Sequence, residues 1–202
     1  MPEFQHSEYW NEKYLLPGNP GWDVGYAVPA LTNYFDQLND KNISILVPGG
    51  GFGYETFYLF SNGFKNVFYL DFSIKAIDEF ISKYPKFPHQ NIIHDDFFKH
   101  IGKYHLIVEH TFFCSLPKNM RLAYASKCHH LLHENGKVTG LFFDFDFKSD
   151  LPPFGGNTDE YINLFRNCFN FMTLEKCNNS IKPRAGRELF FILIRKTCFH
   201  DK

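Results

Sequence analysis

Three glycines at alternate positions, Gly49, Gly51 and Gly53, follow a short apolar run and precede a helical one. Glycine lets the backbone approach a ligand closely, and a helix N-terminus presents unpaired N–H groups. Asp71 stands 18 residues beyond Gly53. At the end of the next strand, a carboxylate there can accept both hydroxyls of a ribose. Strand, glycine loop, helix, strand and acid, in that order, describe a nucleoside site. The competing reading is a tight turn with an incidental acid.

The loop departs from the dinucleotide fingerprint, whose third glycine would fall on Tyr54. No Lys-Ser/Thr pair follows it, which excludes a Walker phosphate loop. The G-x-G-x-G spacing suits S-adenosylmethionine (SAM), which has no pyrophosphate, with S-adenosylhomocysteine as the product. Further on, Asp95-Asp96-Phe97-Phe98 closes a third apolar segment. There Asp96 can bond an adenine amine and Phe97 can stack on the ring. A solvated acid and a core ring would read the same way.

Other groups leave more than one role open. His110 can take a proton from a methyl acceptor, orient it, or serve as a hydrogen-bonded pocket histidine. Glu109 can bind an ammonium group or cap the next turn. Lys182, Arg184 and Arg187 lie in one Pro- and Gly-containing loop. They either close over a pocket and attract an anionic acceptor or form a solvated basic loop. Cys114 reads as a packing residue, because direct methyl transfer needs no covalent enzyme intermediate. His129-His130-x-x-His133 is not expected to bind metal, since adjacent helical residues project about 100° apart and no acid accompanies them. These are expected to be surface histidines near a helix C-terminus. Leu151-Pro152-Pro153-Phe154 looks like the Pro-Pro box of amino-group methyltransferases but falls far beyond the fourth strand.

These residues require a particular scaffold. Helical spacing is expected over 7–16, before the breaker run Pro17-Gly18-Asn19-Pro20-Gly21, and again over 29–39 with Pro29 in the first turn. Strands are predicted at 43–47, 66–70, 91–94, 104–109 and 137–144, alternating with helices at 54–62, 74–84 and 118–132. A helix at 158–165 then leads to two strands, 169–177 and 188–195. Alternation implies a parallel sheet covered on both faces, and the ending adds an antiparallel hairpin. The expected fold is α/β: a seven-stranded, mostly parallel Rossmann-like sheet with a helical N-terminal lid. One domain, 1–202, is expected, with residues 1–40 as lid and 41–202 as core.

Bulk properties narrow the function. A formal net charge of -1 gives no field to draw nucleic acid or an anionic membrane. Five cysteines, Cys114, Cys128, Cys168, Cys177 and Cys198, form no C-x-x-C pair and suit a reduced interior. The polar N-terminus is not a secretory signal, and no apolar run approaches a membrane span. A cytoplasmic, monomeric protein is expected. The 25 Phe and 11 Tyr point to a core built on rings.

Taken together, the segments Trp10-Asn11-Glu12-Lys13-Tyr14, Gly21-Trp22-Asp23-Val24-Gly25, Leu46–Glu55, Leu70-Asp71-Phe72-Ser73, Asp95–Phe98, Glu109–Leu116 and Pro152–Gly156 resemble the thiopurine S-methyltransferase family, including its thiol and halide methyltransferase branch. The resemblance spans about residues 8–195. It implies a SAM-dependent methyltransferase in which Trp10, Tyr14 and Trp22 line the cofactor pocket from the lid. Gly49 and Gly51 would contact the amino-acid end of the cofactor, Asp71 the ribose, and Asp96 and Phe97 the adenine. His110 would stand where donor and acceptor meet. Relatives usually carry Cys at the position of Gly50, an exchange expected to be neutral for binding. In some halide and thiol relatives Tyr14 is replaced by Trp and His110 by Tyr, which points to a different acceptor.

The expected chemistry is in-line displacement by a small soft nucleophile such as a thiol, sulfide, halide or thiopurine-like compound. Aromatic rings from Trp10, Trp22 and Phe112 are candidates to face the sulfonium. The alternatives are O- or N-methylation of a small molecule, or a non-catalytic SAM-binding module.

Overall fold

Local sequence dictates most of the elements in the computed structural model, which describes residues 6–197 apart from Pro17 and Asn19. Cys198, and Pro17 and Asn19 of the breaker run, lie outside the described residues. The chain divides into two compact units, residues 1–100 and 101–202.

In the first unit, helices α1 (Ser7–Leu15) and α2 (Pro29–Asp36) precede strand β1 (Ser44–Pro48), helix α3 (Tyr54–Ser61), strand β2 (Asn66–Asp71), helix α4 (Ile74–Lys83) and strand β3 (Ile92–His94). Strand β1 pairs in parallel with β2, and β2 with β3. The run Ile45-Leu46-Val47 is buried along its length, the pattern of a strand covered on both faces. Pro29 occupies the first turn of α2, where its missing N–H costs no intrahelical bond. That helix stops at Asp36, short of the expected residue 39. Ser73 caps α4, its side chain accepting the Ala76 N–H at 3.2 Å, and Ala76, Ile77 and Phe80 bury one helical face.

The second unit opens with strand β4 (Tyr104–His110) and continues through helix α5 (Arg121–Leu131), strand β5 (Leu132–Phe143), helix α6 (Thr158–Phe165), strand β6 (Phe169–Lys176) and strand β7 (Glu188–Arg195). Strand β5 pairs in parallel with β4 and antiparallel with β7, which pairs antiparallel with β6. Across the sheet the seven strands run in the order β3-β2-β1-β4-β5-β7-β6. The expected mostly parallel sheet with an antiparallel ending is present.

Three local expectations change here. Lys118–Met120 is a 3-10 turn, so the α-helix begins at Arg121. The strand predicted from Lys137 starts at Leu132. Between the pairs Tyr104↔Leu132 and Leu106↔Lys137, the one residue His105 faces the four residues 133–136, and Asn135 takes a left-handed φ of 59°. Asn135-Gly136, a pair that commonly closes a helix, thus lies at an irregularity inside a strand. His129 is not a surface histidine: its ring is buried, and its Nε2 lies 2.9 Å from the Lys196 carbonyl.

The aromatic residues pack the cores of both units, and the second holds a dense cluster of them. Phe142 stacks on Phe191 at 3.9 Å and on Tyr161 at 4.5 Å, while Phe113 and Phe165 close the cluster. Each such ring contributes about 1.5–3 kcal/mol by leaving water. Among the described residues, no helix is long and apolar enough to cross a membrane.

Candidate active site

The alternating glycines have a backbone cause. Gly49, Gly51 and Gly53 adopt φ of 58°, 52° and 73°, a left-handed region that disfavours any side chain. The chain between β1 and α3 therefore coils tightly, with the Gly50 N–H bonded to Leu70 O at 3.0 Å and the Gly53 N–H to Gly50 O at 2.8 Å. Asp71 supports this loop: one carboxylate oxygen accepts the Gly51 N–H at 3.0 Å and the other the Ser73 N–H at 2.9 Å. Burial raises the Asp71 pKa to about 6, against the opposing pull of the Ser73 and Gly51 N–H groups. A carboxylate has about four lone-pair sites, so each oxygen retains acceptor capacity for a hydroxyl.

Gly50 answers to a different neighbour. A Cβ placed there would stand 2.5 Å from Cε2 of the buried Tyr69, whose hydroxyl donates to Gly51 O at 2.7 Å. A side chain at this position would therefore require the Tyr69 ring or the loop to shift.

The three lid aromatics come together. Trp22 meets Trp10 edge-on at 5.6 Å and Tyr14 at 5.9 Å, and Tyr14 meets Phe52 of the glycine loop at 5.2 Å. The Trp22 indole donates to the Tyr14 hydroxyl, while burial and the Asp71 carboxylate push the Tyr14 phenol well above its usual range. Tyr14 thus stays neutral. Its hydroxyl lies 2.9 Å from where a Cβ on Gly51 would stand, so that glycine also makes room for the lid. Asn11 ties α1 down: its side-chain oxygen accepts from the Ser73 hydroxyl at 2.8 Å and from the Lys75 N–H at 3.3 Å. The loop after α1 is anchored through Asp23, which accepts the Gly25 N–H at 2.7 Å and the Tyr54 hydroxyl.

Asp96 caps its own turn, accepting the Phe98 N–H at 2.9 Å, and stays partly exposed. Phe97 is 3% exposed and meets Phe98 edge-on at 5.5 Å.

At the end of β4 the two neighbours part company. Glu109 is fully buried and accepts the Phe113 N–H at 2.8 Å and the Tyr124 hydroxyl at 2.9 Å. Of its two open roles, the structure shows the turn cap. Burial raises its pKa to about 7, with those two hydrogen bonds opposing. Thr111 takes a left-handed φ of 65°, unusual for a branched residue and costing on the order of 1 kcal/mol or more. That bend starts the turn on which the Cys114 thiol donates to Thr111 O at 3.1 Å. Burial, with Glu109 nearby, pushes the thiol up to about 12, so Cys114 remains protonated and non-nucleophilic. The Pro152–Gly156 segment docks on the same turn, Phe154 N–H bonding Cys114 O at 2.6 Å. Gly155 is obligatory there, since a Cβ would stand 1.7 Å from Phe145 O. The Pro-Pro lookalike is thus a wall of this turn.

His110 faces the loop between β6 and β7. Arg184 ends the 3-10 turn Lys182–Arg184 and is 8% exposed, whereas Lys182 and Arg187 are exposed. One Arg184 guanidinium nitrogen, Nη1, lies 3.2 Å from His110 Nε2 and 3.5 Å from Glu188. His110, Thr111, Cys114, Leu141, Phe143, Arg184 and Glu188 line a cavity with room for about one water-sized occupant. Arg184 is thus buried, while Arg187 is exposed and lies over the Phe145 ring at 5.2 Å.

Sequence reasoning assigned no role to Asn11, Tyr69 or Glu188. Asn11 sat inside a quoted motif, and Glu188 lies four residues from Arg184. Nothing in the chain marked either as a partner. Among the described residues, no group of three His, Cys, Asp or Glu could hold a metal ion.

A glycine loop and strand-end acid in a seven-stranded sheet with an antiparallel ending define the class I SAM-dependent methyltransferase fold. A solved 1,6-didemethyltoxoflavin-N1-methyltransferase from Burkholderia thailandensis has this fold, with a TM-score of 0.73 at 15% identity over 98% of this chain and 92% of that one. The family model for thiopurine S-methyltransferase matches residues 5–190, and the chain belongs to that family. It is 27% identical over 198 residues to a probable thiol methyltransferase 2 of Arabidopsis thaliana, covering 95% of this chain and 87% of the relative. It is also 27% identical over 194 residues to a thiocyanate methyltransferase 1 of Brassica oleracea, covering 93% and 85%.

Proposed function

We propose that this chain transfers the methyl group of SAM to a small soft nucleophile, a thiol, sulfide, thiocyanate or halide, by direct in-line displacement. The observation that carries this reading is the buried Arg184 guanidinium, which lines a cavity with His110, Thr111, Cys114 and Glu188 at the end of β4. The names of the thiol and thiocyanate methyltransferase relatives support the same acceptor class.

The donor half of the reading rests on the first unit. Asp71 would accept the ribose hydroxyls, the loop at Gly49 and Gly51 would carry the amino-acid end, and Asp96 with Phe97 would border the adenine. Trp10, Tyr14 and Trp22 would cover the cofactor from the lid. The residues fit such a group, because Asp71, an acid with spare acceptor capacity, stands against a loop of three left-handed glycines whose Gly51 N–H it accepts. SAM when bound supplies an already activated methyl, the attacking lone pair forming the new bond as the C–S⁺ pair returns to sulfur. The chain's own task is positioning, which is worth up to roughly 7–11 kcal/mol. Arg184 would hold the anion and His110 would orient it, with Arg187 guarding the entrance. Residues 1–202 would act as one cytoplasmic, monomeric methyltransferase domain with residues 1–40 as its lid.

An acceptor screen reading S-adenosylhomocysteine release tests the proposal. Thiols, sulfide, thiocyanate and iodide should turn over, and amines and catechols should not. Tight SAM binding with no turnover of any acceptor would instead identify a non-catalytic SAM-binding module.

A further inference from the structure

The contact between His110 and Arg184 fixes a proton. A guanidinium has only N–H donors and stays charged at any working pH. For His110 Nε2 to sit 3.2 Å from Arg184 Nη1, that ring nitrogen must be the acceptor, with its lone pair toward the cation. In a neutral ring the proton is then on Nδ1. Arg184 is steadied from a second side by Glu188, 3.5 Å from the same nitrogen, and its guanidinium carbon lies 5.5 Å from the Phe143 ring centre.

From this geometry we infer that His110 is a positioning residue for Arg184, not a general base. The inference rests on reading this cavity as the acceptor site. A lone pair committed to Arg184 is not available to take a proton from a thiol.

Iodide is the informative probe, because its charge does not change with pH and it has no proton to lose. His110→Leu should raise KM for iodide about tenfold or more, an effect of about 1.4 kcal/mol, with kcat much less affected. His110→Gln supplies a carbonyl that accepts from Arg184 and should recover most of the lost affinity. If the leucine variant instead loses kcat with thiols while iodide kinetics stay as in the wild type, His110 is a base and the inference falls. The ring tautomer is read without any acceptor, by nitrogen-15 NMR of the intact protein with His110→Gln used to assign the signal. A proton on Nδ1 supports the inference, and a proton on Nε2 near neutral pH overturns it. Failure of the wild type to turn over iodide, thiocyanate or sulfide would sink the acceptor-site reading itself, which the tautomer measurement keeps separate.

Discussion

The Asp71 carboxylate accepts the backbone N–H of Gly51 at 3.0 Å, so the acid ending β2 and the glycine loop after β1 form one hydrogen-bonded unit. A change at Asp71 is then felt twice, in the lost ribose acceptor and in a slackened loop. Asp71→Ala should weaken SAM binding at least about tenfold, or 1.4 kcal/mol, by titration calorimetry. Unchanged affinity in a folded variant would remove the ribose assignment.

The pH dependence of that binding has a definite sign. With a free-state pKa of about 6, Asp71 is increasingly protonated as pH falls, whereas ribose hydroxyls favour the carboxylate. SAM affinity should be level at higher pH and fall below about 6, approaching tenfold per pH unit. Calorimetry in buffers of different ionisation heat should show proton release on that acid limb. Affinity that is flat between pH 5 and 8 would contradict the assignment.

Glu109 makes a complementary prediction for stability. Its folded-state value of about 7 exceeds the ordinary 4.5. A raised carboxyl pKa gives stability that is present below the unfolded value and is lost as pH rises through the folded one. Between about pH 4.5 and 7 its contribution should therefore decline, by on the order of 3 kcal/mol at most. The Tm difference between wild type and Glu109→Gln should shift against the wild type across this window. A difference that does not vary with pH would show that the carboxyl is not perturbed.

Gly50 and Tyr69 should behave as a coupled pair. Gly50→Ala places a methyl 2.5 Å from a buried ring, an overpacking cost of about 1–3 kcal/mol. Combining it with Tyr69→Leu should recover part of that loss, with a coupling energy of about 1 kcal/mol in a double-mutant cycle of chemical denaturation. Strict additivity would mean that the loop moves away from the ring instead.

Asn11 offers a test of the lid. Asn11→Ala removes the oxygen that Ser73 and Lys75 share. SAM affinity should fall several-fold, while the global Tm moves by only about a few degrees, since one net hydrogen bond is worth roughly 0.5–1.5 kcal/mol. Equal affinity with and without the side chain would mean that α1 needs no tether.

The sequence by itself determined the order of elements and the glycine loop with its strand-end acid. Apolar runs alternating with helical segments point to strands covered on both faces, and glycines at 49, 51 and 53 record three backbone angles that other residues avoid. Those are local properties, carried by residue type and spacing. Such rules also misread a few places: Asn135-Gly136 punctuates an irregular strand, and His129 is buried under Lys196, because partners distant in sequence overrode local preference. The surroundings of Glu109 and Arg184 were decided only by tertiary structure. Whether Glu109 binds a ligand or caps a turn depends on Phe113 and Tyr124 meeting it. Arg184 becomes a buried cation instead of a solvated one through His110, 74 residues away, and Glu188. Charge and hydrogen-bonding roles depend on what lies within a few ångströms, and only the folded chain brings those groups together.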